Sequence, residues 1–589
     1  MQGKSQKELT RRVIEHLGVI YPDGDNSSLA RKLLTAMNIG RHTKHPISFY
    51  NNWNERQTIL ITYGNTVMQK GKLPLHSLHR FLNKHLQNSI ETVHILPFFP
   101  FSSDDGFAIM DYLSVNPSLG DWEDIEAISK DYKLMADLVI NHMSSRGLWF
   151  DNFKKQIDPG KDYFVEADPD QDLSAVVRPR NSPLLNEVNT VNGKKYIWCT
   201  FGEDQVDLNF KNPQVLIEFV SIIREYLNHG ITLFRMDAVP FLWKEPGTDC
   251  IHLQQTHEII KLLRTLIENH SPKAVVICEN NVPNRENLTY FGNANEAHII
   301  YNFSLPPLLV FTLLSGDCRH LKTWMMSMPP AQSGTTYLNF IASHDGIGLR
   351  PLDGLLSDTE RNSLVQAAVD FGGRVTLRRA REGFDKPYEL NIALFDMLKG
   401  TLEAGEDNFA FDRFICAHAI MLGIEGIPAF YIQSLLGSRN DYHRLEHTGR
   451  NRSINRHIWD TEELESALKD PDNPHGKVFA EMKRLIDIRR QQPAFHPNAT
   501  QFTLHLGTKV FAFWRQSINR NQSIFCLSNV SRRKQTVKLS DINLITTDTW
   551  HDLIQGESYE DPRAKLLLRP YQTVWISNMS NTEHLGTHS

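Results

Sequence analysis

Eight short apolar runs, each closing on polar or ionisable residues, recur through residues 58–433: TILITYG (58–64), TVHILPF (92–98), MADLVINH (135–142), ITLFRMDAV (231–239), AVVICENN (274–281), HIIYNF (298–303), YLNFIASHD (337–345) and IPAFYIQ (427–433). Longer amphipathic stretches separate many of them, such as VLIEFVSIIREYLNHG before the fourth and HEIIKLLRTLIENH before the fifth. Strand and helix alternating in this way predict parallel strands joined by crossover helices, and eight units predict an α/β fold of the closed TIM (β/α)8 type. In that architecture the reactive groups stand where the strands end.

The rest of the chain divides around this barrel, which is expected over 56–142 and 201–495. Residues 1–55 read as a helical N-terminal extension closed by Pro46. The connection 143–200, rich in Asp, Pro and Asn, is too long for an ordinary loop and predicts a subdomain inserted after the third strand. A second long connection, 346–420, predicts a loop and helical insertion after the seventh. From 496 to 578 short alternating runs (TQFTLHLG, KVFAFWRQS, QSIFCLSNV, RKQTVKLS, QTVWISN) predict a C-terminal antiparallel β domain. The last residues, 579–589, read as a disordered tail.

Charge bears on the partner. A formal charge of -5 with Lys and Arg scattered along the chain argues against nucleic acid and anionic membranes, and favours small or neutral ligands. The most apolar window, IIYNFSLPPLLVFTLL, carries Pro306 and Pro307 and is shorter than the roughly 18 residues a membrane span needs. The six cysteines (Cys199, Cys250, Cys278, Cys318, Cys416, Cys526) form no CxxC and no metal-ligand spacing, so buried free thiols are expected. With the charged start MQGKSQKELTRRVIEHLG, these features predict a cytoplasmic protein.

Chemistry collects at the strand ends: Asn141 and His142 after the third, Arg235 and Asp237 at the fourth, Glu279 after the fifth, His344 and Asp345 after the seventh. One carboxylate at a strand end is more often a cap or an ion pair; several converging on one rim point to a site. Residues i and i+2 of a strand share a face, so Arg235 and Asp237 emerge side by side, and the guanidinium is expected to keep Asp237 ionised as a nucleophile. Glu279 follows apolar AVVIC and precedes Asn280 and Asn281, with no cation adjacent in sequence. It is expected to keep its proton as a general acid, a helix-capping residue being the alternative. Paired carboxylates flanking a scissile bond are the equipment of glycoside chemistry. A separation of about 5 to 5.5 Å gives a covalent intermediate and retention, and roughly 6.5 to 9.5 Å gives inversion; the residues alone leave that choice open.

The motifs IASHDGIG, FRMDAV, CEN and VINH resemble the strand ends of the α-amylase superfamily, glycoside hydrolase family thirteen. FLWKEPGT, QVDLN and YNFSLPPLL, in order with them from about residue 94 to 460, resemble its sucrose phosphorylase subfamily. That resemblance implies Asp237 as nucleophile, Glu279 as acid/base and Asp345 as transition-state stabiliser, with His142, His344 and Arg235 around the transferred glucosyl ring. It also implies that Asp104 and Phe107 of SSDDGF bind and pack on the sugar, that Arg456 of INRH pairs with Asp104, and that Phe201 faces the developing cation. No metal and no organic cofactor are implied.

On the phosphate and acceptor side the resemblance points to Arg178 and Arg180 of VVRPRNSPLL and to Gln205, with a solvated loop the competing reading for the two arginines. Arg350, Arg439, His443 and Arg444 fall on loops expected near the acceptor. Departures lie there as well: Pro240 and Phe241 stand where sucrose phosphorylases have Gly and Tyr. The implied activity is a retaining α-glucoside phosphorylase acting on small molecules: an α-glucoside, phosphate and α-glucose 1-phosphate. Glucosylglycerate is the expected donor because extra cations suit an anionic aglycone. Sucrose, sucrose 6′-phosphate and glucosylglycerol are the alternatives, followed by an α-glucosidase or transglucosylase and, last, a non-catalytic barrel subunit.

Overall fold

A computed structural model describes residues 2–40, 46–379, 385–542, 549–561 and 563–580. The eight apolar runs form eight parallel strands: β1 (Ile59–Thr62), β2 (Thr92–Ile95), β3 (Lys133–Val139), β4 (Ile231–Asp237), β5 (Val275–Cys278), β6 (Ile299–Tyr301), β7 (Thr336–Asn339) and β8 (Ile427–Tyr431). They close into a barrel with each strand beside its sequence neighbours and β1 against β8. Almost every strand residue is buried, because helices cover the outer face and side chains fill the interior. The expected fold class is thus the observed one.

The covering helices carry the start signals their sequences advertise. Asn212 caps Pro213–Asn228 by accepting from the Gln214 N–H, with proline at the first helical position. The apolar window after β6 forms the helix Leu305–Ser315, buried on all sides except at its last residue. No helix among the described residues is long and apolar enough to cross a membrane. All six cysteines are buried and unpaired.

The segments outside the barrel are tied to it closely. Helices Gln2–Ile20 and Asn26–Ala36 bury Leu9, Val13, Leu17, Ile20, Leu33 and Leu34 in the same core as the strands. The first insertion holds helix Leu148–Lys155 and the hairpin Leu185–Thr190/Gly193–Trp198, and its ends are stitched by antiparallel pairing of His142–Ser144 with Gln205–Asp207. The second holds helix Asp358–Asp370 and a three-stranded sheet of Ile347–Gly348, Asp385–Asn391 and Arg374–Arg379. Helix Ala410–Gly423, which begins inside the stretch 346–420 and runs past its end, is the barrel's own crossover into β8. The C-terminal runs form a six-stranded sheet with a separate two-stranded ribbon, Gln535–Lys538 with Lys565–Leu568. Of the expected tail, 581–589 lie outside the described residues.

Candidate active site

Strand register assembles the site. Asp137 on β3 pairs with Arg235 on β4, and Val139 with Asp237. Beyond β5 the Glu279 N–H still donates to the Met236 carbonyl at 3.2 Å, which holds Glu279 beside the end of β4. The chain then turns at Ala238 in the left-handed region (φ 53°), and the Ala238 N–H donates to Glu279 Oε2 at 3.4 Å. A non-glycine residue held there costs on the order of 1–3 kcal/mol, the kind of strain found where a backbone serves a site.

Arg235 is 2% exposed, and its guanidinium lies 5.6 Å from the ring centroids of both Phe107 and Tyr301. It donates to Asp137, lies 2.9 Å from Asp237 Oδ1 and 3.8 Å from Glu279 Oε1. One positive charge therefore faces three carboxylates. Burial works against the Asp137 charge, but Arg235 and His94, 2.8 Å away, hold that carboxyl below its usual range. With the guanidinium shared, burial pushes Asp237 up to about 8 against the pull of Arg235, and Glu279, Asp137 and Asp345 add to the rise. Burial raises Glu279 as well. Burial therefore outweighs the pull of Arg235 on Asp237, a pull that Asp137 and Glu279 share.

Most of the expected sugar-side residues meet in one cavity of about 700 Å³ that opens over this cluster and is lined by Asp104, Phe107, His142, Phe201, Gln205, Asp237, Glu279, His344 and Asp345. His344 stacks on Phe107 (5.1 Å, 7°), and burial with Arg235 and Arg456 nearby holds its imidazole well below the usual range, hence neutral. His142 Nε2 donates to the Phe107 carbonyl at 3.1 Å, and the Gln205 amide donates to Asp104 Oδ2 at 3.2 Å. Gly106 has φ +115°, and a Cβ there would lie 2.8 Å from the Pro97 carbonyl oxygen, so only glycine lets this loop present Phe107. Phe201 packs on His142 and meets Phe241 edge-on at 5.5 Å. Phe241, the departure noted above, is therefore a wall of the cavity.

The arginines sort differently from expectation. Arg456 is not in the cavity wall and pairs with Asp105, not Asp104, while its Nε donates to the His344 carbonyl at 2.9 Å. The arginine that reaches Asp345 is Arg452, at 2.7 Å, and it is held in turn by two bonds to Glu389. Burial disfavours the Asp345 charge, yet Arg452, Arg235, Arg456 and Arg180 together hold its carboxyl low. Arg180 and Arg350 line the cavity, as do Asn281 and Tyr388, but Arg178 does not. Arg439 pairs with Asp396 and, with His443, lines a separate cleft; Arg444 lines neither. Asp137, Arg452, Glu389 and Tyr388 were missed in the sequence. The last two sit on a strand of the second insertion with no local signal, whereas Arg452, four residues before Arg456 on the turn Asn451–Asn455, was within reach.

Behind His142, Lys244 of the FLWKEPGT motif is buried with its Nζ 2.7 Å from Asp207 and 2.6 Å from the Asn141 side-chain oxygen. Removing one member of a buried pair strands the other charge, so Lys244→Met is expected to lower stability by roughly 3–5 kcal/mol. Denaturant midpoints measured on both proteins check this.

A closed parallel barrel with carboxylates gathered round a buried guanidinium at its carboxyl-terminal rim defines a class, the α-amylase-type barrels that act on glycosidic bonds. The sequence matches the alpha-amylase catalytic-domain family over residues 84–348. It is 39% identical to a glucosylglycerate phosphorylase of Allomeiothermus silvanus over 97% of this chain and 99% of that protein, and 39% identical to one of Escherichia coli over 96% and 100%. A sucrose phosphorylase of Agrobacterium vitis is 28% identical over 77% of this chain and 92% of its own length. Among solved structures, a sucrose 6F-phosphate phosphorylase from Thermoanaerobacter thermosaccharolyticum superposes with a TM-score of 0.70 at 24% identity, over 81% of this chain and 94% of that one. The chain belongs to the sucrose phosphorylase-like subfamily of glycoside hydrolase family thirteen, and it is an enzyme of the glucoside phosphorylase class.

Proposed function

We propose that the chain transfers a glucosyl unit from glucosylglycerate to phosphate with net retention, through a glucosyl ester of Asp237, and that it works in the cytoplasm. The observation that carries this reading is the union, in one cavity, of the carboxylates Asp237, Glu279 and Asp345 with the cations Arg180 and Arg350 on the wall. The whole-length likeness to glucosylglycerate phosphorylases supports the choice of donor.

Asp237 and Glu279 are close enough to one guanidinium that they shed their protons as a pair. Asp237 holds the nearer contact to Arg235, 2.9 against 3.8 Å, so the proton they share resides on Glu279. Asp237 attacks the anomeric carbon while Glu279 passes its proton to the departing glycerate oxygen. Phosphate then attacks the ester, Glu279 recovers a proton from it, and α-glucose 1-phosphate leaves with Asp237 restored. Neutral His344, with His142 and Asp104, supplies hydrogen bonds to the ring hydroxyls, Phe107 packs on the ring and Phe201 faces the developing cation. Asp345, charged beside Arg452, stabilises that cation.

The test is phosphate release from α-glucose 1-phosphate with a panel of acceptors. Release that depends on glycerate is expected. Release that depends instead on fructose 6-phosphate, fructose or glycerol would replace the donor, and release independent of any acceptor would mark a hydrolase.

A further inference from the structure

Arg180, Arg350 and Arg452 line the cavity and Arg235 adjoins its carboxylates, and these four differ in what already neutralises them. Arg235 is engaged by Asp137 and Asp237, and Arg452 by Asp345 and Glu389. Arg180 makes no ion pair among the described residues, but its charge acts on Asp345 and Glu389. Arg350 is the distinctive one. Its side chain is 16% exposed, and among the described residues the one carboxylate within ion-pair distance is Glu286, at 3.8 Å, with Asp353 farther off. Glu286 is itself 42% exposed and lies 3.0 Å from His252. Burial pulls the Arg350 guanidinium below its ordinary range. A cation taken out of water is ordinarily paired, so one left half-compensated in a cavity wall is placed to meet an anion brought by the ligand.

Its position says which part of the ligand. Arg350 opens the turn Arg350–Leu352, five residues beyond Asp345. It shares the wall with Asn281, two residues beyond Glu279, and with Tyr388; the Asn281 amide donates to the Tyr388 hydroxyl at 3.4 Å, and its Oδ1 is buried without a partner. Asn281 follows Glu279 by two residues and stands against Gly348, where a Cβ would lie 3.0 Å from its side chain, so Asn281 and Arg350 lie together on the side where Glu279 meets the leaving oxygen.

We infer that Arg350, with the Tyr388 hydroxyl beside it, binds the carboxylate of the aglycone and makes the enzyme select glycerate over the uncharged triol glycerol. The inference rests on the glucosylglycerate reading proposed above. It assigns the choice of aglycone to a residue of the connection after β7 that takes no part in the bond-making steps.

Competition between the two acceptors tests it. Wild type, Arg350→Met, Arg350→Gln and Arg350→Lys are each given α-glucose 1-phosphate with equimolar glycerate and glycerol, and the ratio of glucosylglycerate to glucosylglycerol formed is measured. Both products draw on one pool of glucosyl-enzyme, so the ratio is independent of how the substitution affects phosphate. The neutral variants are expected to lower it by about tenfold or more, the contribution of a hydrogen bond to a charged group, while still glucosylating glycerol. Arg350→Lys is expected to recover part of the preference. Neutral variants that keep the wild-type ratio, or that lose both products in step, would overturn the assignment of Arg350 alone. A wild-type enzyme with no preference for glycerate would overturn the donor reading and this inference together.

Discussion

Replacing Asp237 with Asn is expected to lower kcat by roughly 10⁴-fold or more, the scale of losing a nucleophile from a concerted site, while leaving the protein folded. The amide keeps the shape and contact with Arg235 but cannot form the ester. Stability separates this from collapse of the site. Asp237 and Glu279 together hold one proton up to about 8 in the folded chain, above the unfolded value of either carboxyl, so the folded pair binds that proton more tightly. Stability is then lost as pH rises through the folded value, because the ionised carboxylate has to be kept beside Glu279 and Asp345. The Asn variant lacks that penalty, and above pH 8 its melting temperature is expected to exceed that of wild type by about 1–4 °C. A variant that kept turnover would remove Asp237 from the chemistry, and one that melted lower at every pH would make it a structural residue.

The second large effect belongs to Glu279. Glu279→Gln is expected to cost about 10²–10⁴ in kcat/KM for glucosylglycerate, whose leaving oxygen needs a proton. It is expected to cost far less for α-glucosyl fluoride, whose fluoride leaves unaided. Wild-type kcat/KM for the glucoside donor should fall as pH rises through about 8, where the last proton of the Asp237 and Glu279 pair leaves and no acid remains. In the Gln variant with the fluoride donor that alkaline limb should vanish, since the acid whose proton it reports is gone and fluoride needs none. Equal losses on both donors, or an unchanged alkaline limb, would assign the proton elsewhere.

The barrel was legible because parallel strands buried on both faces write themselves as apolar runs, and all eight ran where the sequence placed them. Arg235 and Asp237 were legible for the same local reason: two residues apart on a strand is one face. What local reasoning could not supply was register. Asp137 lies inside the run MADLV and reads as an isolated exception, yet pairing with β4 sets it against Arg235, where it draws on the guanidinium that Asp237 also contacts. The arginines near residue 450 show the same limit. Choosing among Arg450, Arg452 and Arg456 needs the turn Asn451–Asn455 and a partner strand, which carries Glu389, from a distant insertion. Helix Gln2–Ile20 was read as an appendage because nothing in its sequence says that its apolar face closes on the barrel helices.

The reading as a whole turns on a covalent glucosyl-Asp237 that phosphate discharges. Acid-quenching the Glu279→Gln enzyme after mixing with α-glucosyl fluoride in the absence of phosphate, then mapping its peptides by mass, tests this directly. The expected result is one anhydroglucosyl unit on the peptide carrying Asp237, lost on adding phosphate as α-glucose 1-phosphate forms. No adduct, an adduct on another residue, or release of the β anomer would contradict it.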